Sequence, residues 1–145
     1  MQVAFYHLEK AHAEDVVPKL LEKAVGSGYR ALVRVDDETR LNVLDECLWT
    51  YDKSSFLPHG RAGSTDSAQQ PILITTQDEC ENDANLLVIV GGGVPGNLEV
   101  FERCLYVFDG QNEEAVQKAR EEWRDFKAQG HEVTYWQQNE TGAWE

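Results

Sequence analysis

An α/β domain, with helices on both faces of a mostly parallel sheet, is the fold class that this sequence predicts, and three observations predict it. Short apolar runs alternate with stretches of helical periodicity, the order that joins parallel strands through crossover helices. The length of 145 residues with 41% hydrophobic residues suits one domain with its own core better than two. No internal repeat or low-complexity tract interrupts the pattern. Residues 1–145 are therefore expected to form a single three-layer α/β/α domain, its sheet Rossmann-like and of about five strands.

The elements follow in order. Val3-Ala4-Phe5-Tyr6-His7-Leu8 is a compact apolar run, as a central strand requires. Val16, Val17, Leu20, Leu21, Ala24 and Val25 recur at helical spacing, with Pro18 in the first turns and Gly26 and Gly28 ending the pattern. Tyr29 to Val35 returns to a strand pattern. Asp36 or Asp37 caps a second helix whose Leu41, Leu44, Leu48 and Cys47 face inward. From Tyr51 to Gln70 the composition shifts to Ser, Gly, Pro, Asp and Gln, which predicts a long surface loop of the kind that is often functional. Pro71 to Thr76 and Leu86 to Val90 read as short buried strands, joined by the polar stretch 77–85. Leu98 to Arg103 reads as a short helix and Leu105 to Phe108 as a strand closed by Asp109-Gly110. The last helix runs from Glu113 to Ala128, Gly130 terminates it, and His131 to Gln137 is a final strand.

The charge and composition exclude several classes of function. Against 26 Asp and Glu stand 13 Lys and Arg, a formal charge of −13. Phosphate backbones are gripped by Lys and Arg, so direct DNA binding is not expected. No apolar run approaches the roughly 20 residues of a membrane span, and the N-terminus has no secretory signature, so a cytoplasmic protein is expected. Cys47, Cys80 and Cys104 are widely spaced without a C-x-x-C pair, which argues against a disulfide framework or a zinc knuckle. His7, His12, His59 and His131 have no metal-ligand spacing. No nucleophile elbow is present, and neither a metal nor a cofactor is expected. Gly91-Gly92-Gly93-Val94-Pro95-Gly96 satisfies G-x-G-x-x-G after a strand. Pro95 removes a donor from the would-be cradle and the next helix is short, so a tight turn is the better reading. A nucleotide-binding α/β enzyme using Gly91 to Gly96 is the alternative.

Two features rise above this background. In the last helix, Arg120, Trp123, Arg124 and Lys127 fall at i, i+3, i+4 and i+7 and share one face. Val116, Ala119, Trp123 and Phe126 form the adjoining apolar stripe, which puts Trp123 on the border between core and basic ridge. Arg120 and Arg124 repel each other at this spacing unless an anion compensates, and guanidinium groups grip carboxylates in a bidentate way. The other reading is a solvated face whose cations pair with Glu121, Glu122 and Asp125. The second feature is Trp49 and Tyr51 running into Phe56, Leu57, Pro58 and His59, bulky groups where polar loop residues are usual. Such aromatics mark a partner surface or cover the edge of the sheet.

The chain resembles the chi-subunit family of the bacterial DNA polymerase III holoenzyme. The resemblance rests on Phe5-Tyr6, Glu22-Lys23-Ala24 before Gly28, Leu44-Asp45-Glu46 with Leu48-Trp49, Ser55-Phe56-Leu57-Pro58-His59, Ala119-Arg120-Glu121 with Trp123-Arg124, and the closing Gly142-Ala143-Trp144. It implies a non-catalytic clamp-loader accessory protein, the polymerase activity residing in another subunit. It further implies binding to the acidic C-terminal tail of single-stranded DNA-binding protein, and a link from there to the clamp loader through the psi subunit or another replisome partner. Arg120, Trp123 and Arg124 would hold the tail, with Lys127 added from its spacing. A pocket between this helix and the final strand, lined in part by Val133 and Tyr135, would take the tail's terminal apolar residue. The psi-like contact would fall on Trp49, Phe56, Leu57, Pro58 and His59. Arg124 stands where some relatives carry Lys, which keeps the charge and adds a fork.

Overall fold

Apolar residues on both sides of Gln2–Leu8 make it strand β1, buried from Val3 to Phe5 and again at Leu8. The structure, a computed structural model, describes residues 2–8, 13–50, 59–61, 70–76, 82–91 and 98–137. After β1 come helix α1 (Ala13–Gly26), β2 (Ala31–Val35), α2 (Glu38–Thr50), β3 (Gly60–Arg61), β4 (Ile72–Thr75) and β5 (Leu86–Val90). A single 3-10 turn at Leu98–Val100 precedes β6 (Arg103–Asp109), α3 (Glu113–Ala128) and β7 (Glu132–Gln137). The strands form one sheet in the order β3-β4-β2-β5-β6-β1-β7. Every pairing is parallel.

The three-layer α/β/α expectation holds. The sheet has seven strands rather than about five; the final strand read at His131 to Gln137 is present as β7, and the unread one is β3, a two-residue edge strand inside the predicted loop. Strand β3 has two residues and neither is a large apolar one. Strand β7 is exposed along most of its length. The short helix expected over Leu98 to Arg103 is also corrected. Only Leu98–Val100 is helical, and Arg103 opens β6, because Arg103 pairs in register with Gln2 of β1 and Leu86 of β5. Pro18 lies inside α1, beyond the first turn, so one i→i−4 hydrogen bond is forfeited there.

Two cores flank the sheet. On one face, Ala4, Leu8, Val33, Val88, Leu105 and Val107 pack beneath Val17 and Leu21 of α1 and Leu41, Leu44 and Leu48 of α2. On the other, Val3, Phe5, Leu87, Cys104, Tyr106 and Phe108 meet Ala119 and Phe126 of α3. Phe126 is 2% exposed, and burying a side chain of that size contributes roughly 1.5–3 kcal/mol. That burial fixes α3 on the sheet and thereby settles which of its faces meets water.

Local chemistry sets the ends of α3. Asn112 is its N-cap, accepting from the backbone N–H groups of Glu114 at 3.0 Å and Ala115 at 3.2 Å. Glu113 and Glu114 in the first turn and Lys127 in the last complement the helix dipole. Gly130, at φ +87°, supplies the left-handed turn after the helix. Across the sheet, buried Asn82 donates to the carbonyls of Ala31 at 3.1 Å and Gln70 at 2.9 Å. Arg30 donates from Nε to the Asn82 carbonyl at 2.8 Å. These bonds tie together the entries to β2, β4 and β5, where burial leaves few other partners.

Candidate functional site

Strand β1 runs between β6 and β7, so Phe5 stands in register with Tyr106 on one side and Tyr135 on the other. Phe5 stacks on Tyr106 at 4.5 Å between ring centres and meets the edge of Trp123 at 5.2 Å. Trp123 in turn meets Tyr135 edge-on at 5.9 Å. Helix α3 does not close over this aromatic floor. An open cleft of about 410 Å³ remains, lined by Phe5, His7, Phe108, Val116, Ala119, Arg120, Trp123, Arg124 and Tyr135.

Arg120, Trp123 and Arg124 therefore converge on one cleft, as their spacing predicts. Both arginines are exposed, while Trp123 is half-buried against the core. Lys127 does not line the cleft. Its Nζ lies 4.8 Å from the centre of the Trp123 ring, a cation–π contact. Among the described residues, Arg120, Arg124 and Lys127 make no ion pair, so the reading in which Glu121, Glu122 and Asp125 neutralise this face does not hold. Glu122 turns inward, its carboxylate beside Tyr106 and Cys104. Tyr135 lines the cleft as expected, but Val133 packs into the core beneath it.

The sequence reading missed Phe5, His7, Phe108 and Val116 as lining residues. His7 Nδ1 and the Tyr135 hydroxyl share a hydrogen bond across β1 and β7. His7 also lies tilted on Phe108 at 5.0 Å. Gly110 makes room for it, since a Cβ there would overlap the His7 ring and come within 2.7 Å of the Leu8 carbonyl. Residues two apart on a strand share a face, so Phe5 and His7 lie on one face of β1. Only the strand order showed that this face lies beneath α3.

Beneath the cleft, burial pushes the Cys104 thiol and the Tyr106 hydroxyl well above their ordinary values, and the nearby Glu122 carboxylate adds to both. Both groups stay neutral. Neither of the two adds a charge beneath the apolar floor.

Trp49 and His59 lie together at the other end of the molecule. Trp49 is 56% exposed at the end of α2, with its ring 4.5 Å from that of His59. His59 is buried, and its Nε2 lies 3.1 Å from Asp45 Oδ1. It supports the tryptophan rather than projecting to solvent. Phe56, Leu57 and Pro58 lie outside the described residues, as do residues 92–96 of the glycine-rich loop. At Gly91, whose φ is +83°, a Cβ would come within 2.8 Å of Asp36 Oδ2. No group of His, Cys, Asp and Glu among the described residues is arranged to hold a metal ion. Among the described residues, no helix is long and apolar enough to cross a membrane.

An aromatic cleft on an α/β scaffold, rimmed by two arginines that make no ion pair among the described residues, has the chemistry to accept anionic, partly apolar groups. Comparison with known proteins places the chain more narrowly. The family model for the DNA polymerase III chi subunit, HolC, matches residues 1–134, and the chain belongs to that family. It is similar to a Rickettsia prowazekii protein named probable DNA polymerase III subunit chi, 27% identical over 152 residues that cover 99% of this chain and 90% of the relative. It is also similar to the DNA polymerase III subunit chi of Pseudomonas aeruginosa, 28% identical over 134 residues that cover 90% of this chain and 92% of the relative. Membership makes the chain an accessory subunit of a replicative polymerase.

Proposed function

We propose that the chain is a non-catalytic adaptor that binds the acidic C-terminal tail of single-stranded DNA-binding protein in the α3 cleft. The observation that carries this reading is the pairing of Arg120 and Arg124, free of ion pairs among the described residues, with an apolar floor of Phe5, Phe108, Val116, Trp123 and Tyr135. Carboxylates of the tail meet the two guanidinium forks, and the terminal apolar side chain enters between α3 and β7. His7 and Tyr135 fix the far wall. The exposed Trp49, braced by His59, is where psi or another replisome partner docks and completes the link to the clamp loader.

The test is a fluorescence titration with a labelled C-terminal peptide of the host's single-stranded DNA-binding protein, at low and moderate salt, beside a peptide lacking the final residue. Saturable binding that weakens with salt and needs the terminal residue is expected, because exposed ion pairs are screened within roughly 10 Å at 0.1 M salt. Absence of binding at low salt overturns the assignment.

A further inference from the structure

The opposite face of the sheet carries a second recess, of about 330 Å³, between α1 and the strands beneath it. Lys19, Lys23 and Arg103 all line it, in a chain with 13 basic residues in total. Lys19 and Lys23 sit four apart on one helix face, where like charges repel unless an anion lies between them. Neither lysine makes an ion pair among the described residues, and the intervening Glu22 does not line the recess. Arg103 adds an independent sign. Its Nε is shielded from solvent and has no acceptor among the described residues, a state that native structures rarely leave uncompensated.

Between these cations the recess is apolar and aromatic. Leu20, Leu86 and Leu105 form its floor, with Tyr6 and Tyr29 beside them. Burial holds the Tyr6 hydroxyl above its ordinary range despite the neighbouring Arg103, so it stays a neutral donor. The surface also continues outward. Tyr6 is in register with Trp136 of β7, which faces the same side of the sheet and is 40% exposed.

We propose that this recess binds a short acidic peptide segment, its carboxylates on Lys19, Lys23 and Arg103 and one apolar side chain against Leu20 and Leu105. Charge complementarity selects an anion, and the apolar floor selects one that carries a hydrophobic group. The continuation to Trp136 suits an extended chain rather than a compact ion. A long nucleic-acid strand fits less well, because beyond the recess it would run over the surface of a chain with a net charge of −13. This site is separate from the α3 cleft and does not depend on the function proposed for it.

The experiment is a titration of the full-length, isotope-labelled protein, followed by amide chemical shifts. The probe is a short peptide of Asp and Glu with one Phe and one Ile, amidated at its carboxyl end so that it offers no terminal carboxylate to the α3 cleft. Shifts centred on residues 19–27, Tyr6 and Arg103 are expected. The Lys19→Glu, Lys23→Glu double variant, altered only at exposed positions, should weaken binding about tenfold or more, the scale of a lost close charge pair. The Arg120→Ala, Arg124→Ala variant should leave the same shifts intact. Shifts confined to α3, no shifts at all, or full affinity in the lysine variant would each overturn the proposal. So would a single-stranded oligonucleotide that moves these amides when the peptide does not.

Discussion

Lys127 holds its ammonium group 4.8 Å from the centre of the Trp123 ring and does not line the cleft. The charge does not reach the cleft floor. It packs on the tryptophan, which also meets Phe5 at 5.2 Å between ring centres. A double-mutant cycle of Lys127→Ala with Trp123→Phe should give a coupling of about 0.5–1 kcal/mol in stability, the scale of an exposed cation–π contact. Lys127→Ala alone should weaken tail-peptide binding less than either arginine substitution. A larger loss for Lys127 would mean that it contacts the peptide directly.

Replacing Arg120 and Arg124 together with Ala should abolish detectable tail-peptide binding and leave the melting temperature within a few degrees. Both side chains are exposed and neither makes an ion pair among the described residues, so their removal costs the fold little. Titration and thermal melts on the same preparation separate lost contact from lost structure.

Gly110→Ala should be disruptive although Gly110 lies in a turn. The added methyl overlaps the His7 ring and approaches the Leu8 carbonyl to 2.7 Å, so backbone as well as side chain must move. Overpacking of this kind costs about 1–3 kcal/mol. Tail-peptide affinity should fall with it, because displacing His7 breaks its hydrogen bond to Tyr135 and shifts the cleft wall. Denaturant melts and peptide titration of the variant check both parts.

Stability should decline in alkali. Cys104 and Tyr106 have ordinary values of 9.0 and 10.0, and burial, aided by Glu122, raises both in the native state. Above those values the unfolded chain has released protons that the native chain still holds, so unfolding is favoured as pH rises. The urea midpoint should fall from about pH 9 upward. Cys104→Ala should remove the part of the decline that begins at the thiol's ordinary value and keep the part that begins at the phenol's.

Asn82→Ala should destabilise the domain by about 1–3 kcal/mol, since it leaves the buried carbonyls of Ala31 and Gln70 without this donor. Its position in a polar connection disguises the role, and a urea melt measures it.

Much of the fold was legible along the chain. Alternating apolar runs and helical stripes specified α1, α2 and α3 because each buries one face. The internal strands were plain because burial on both sides leaves unbroken runs such as Leu86–Val90. The edge strand β3 was not, since its two residues bury too little to write a pattern, whereas the other edge, β7, was read at His131 to Gln137. The basic ridge of α3 was legible for the same reason as its core stripe: residues three and four apart share a helix face whatever the helix packs upon.

The sequence by itself determined the secondary elements, the acidic balance, the face shared by Arg120, Trp123 and Arg124, and a family resemblance carried by motifs along most of the chain. It could not determine what lies opposite that face. The order β6-β1-β7 places Phe5, Phe108 and Tyr135 under α3, and that order brings together residues separated by more than a hundred positions. The same order puts Arg103 beside Lys19 and Lys23 on the other face. Periodicity is a local property, set by the repeat of one helix or strand. A cleft is a property of neighbours, and neighbours are chosen only when the sheet assembles.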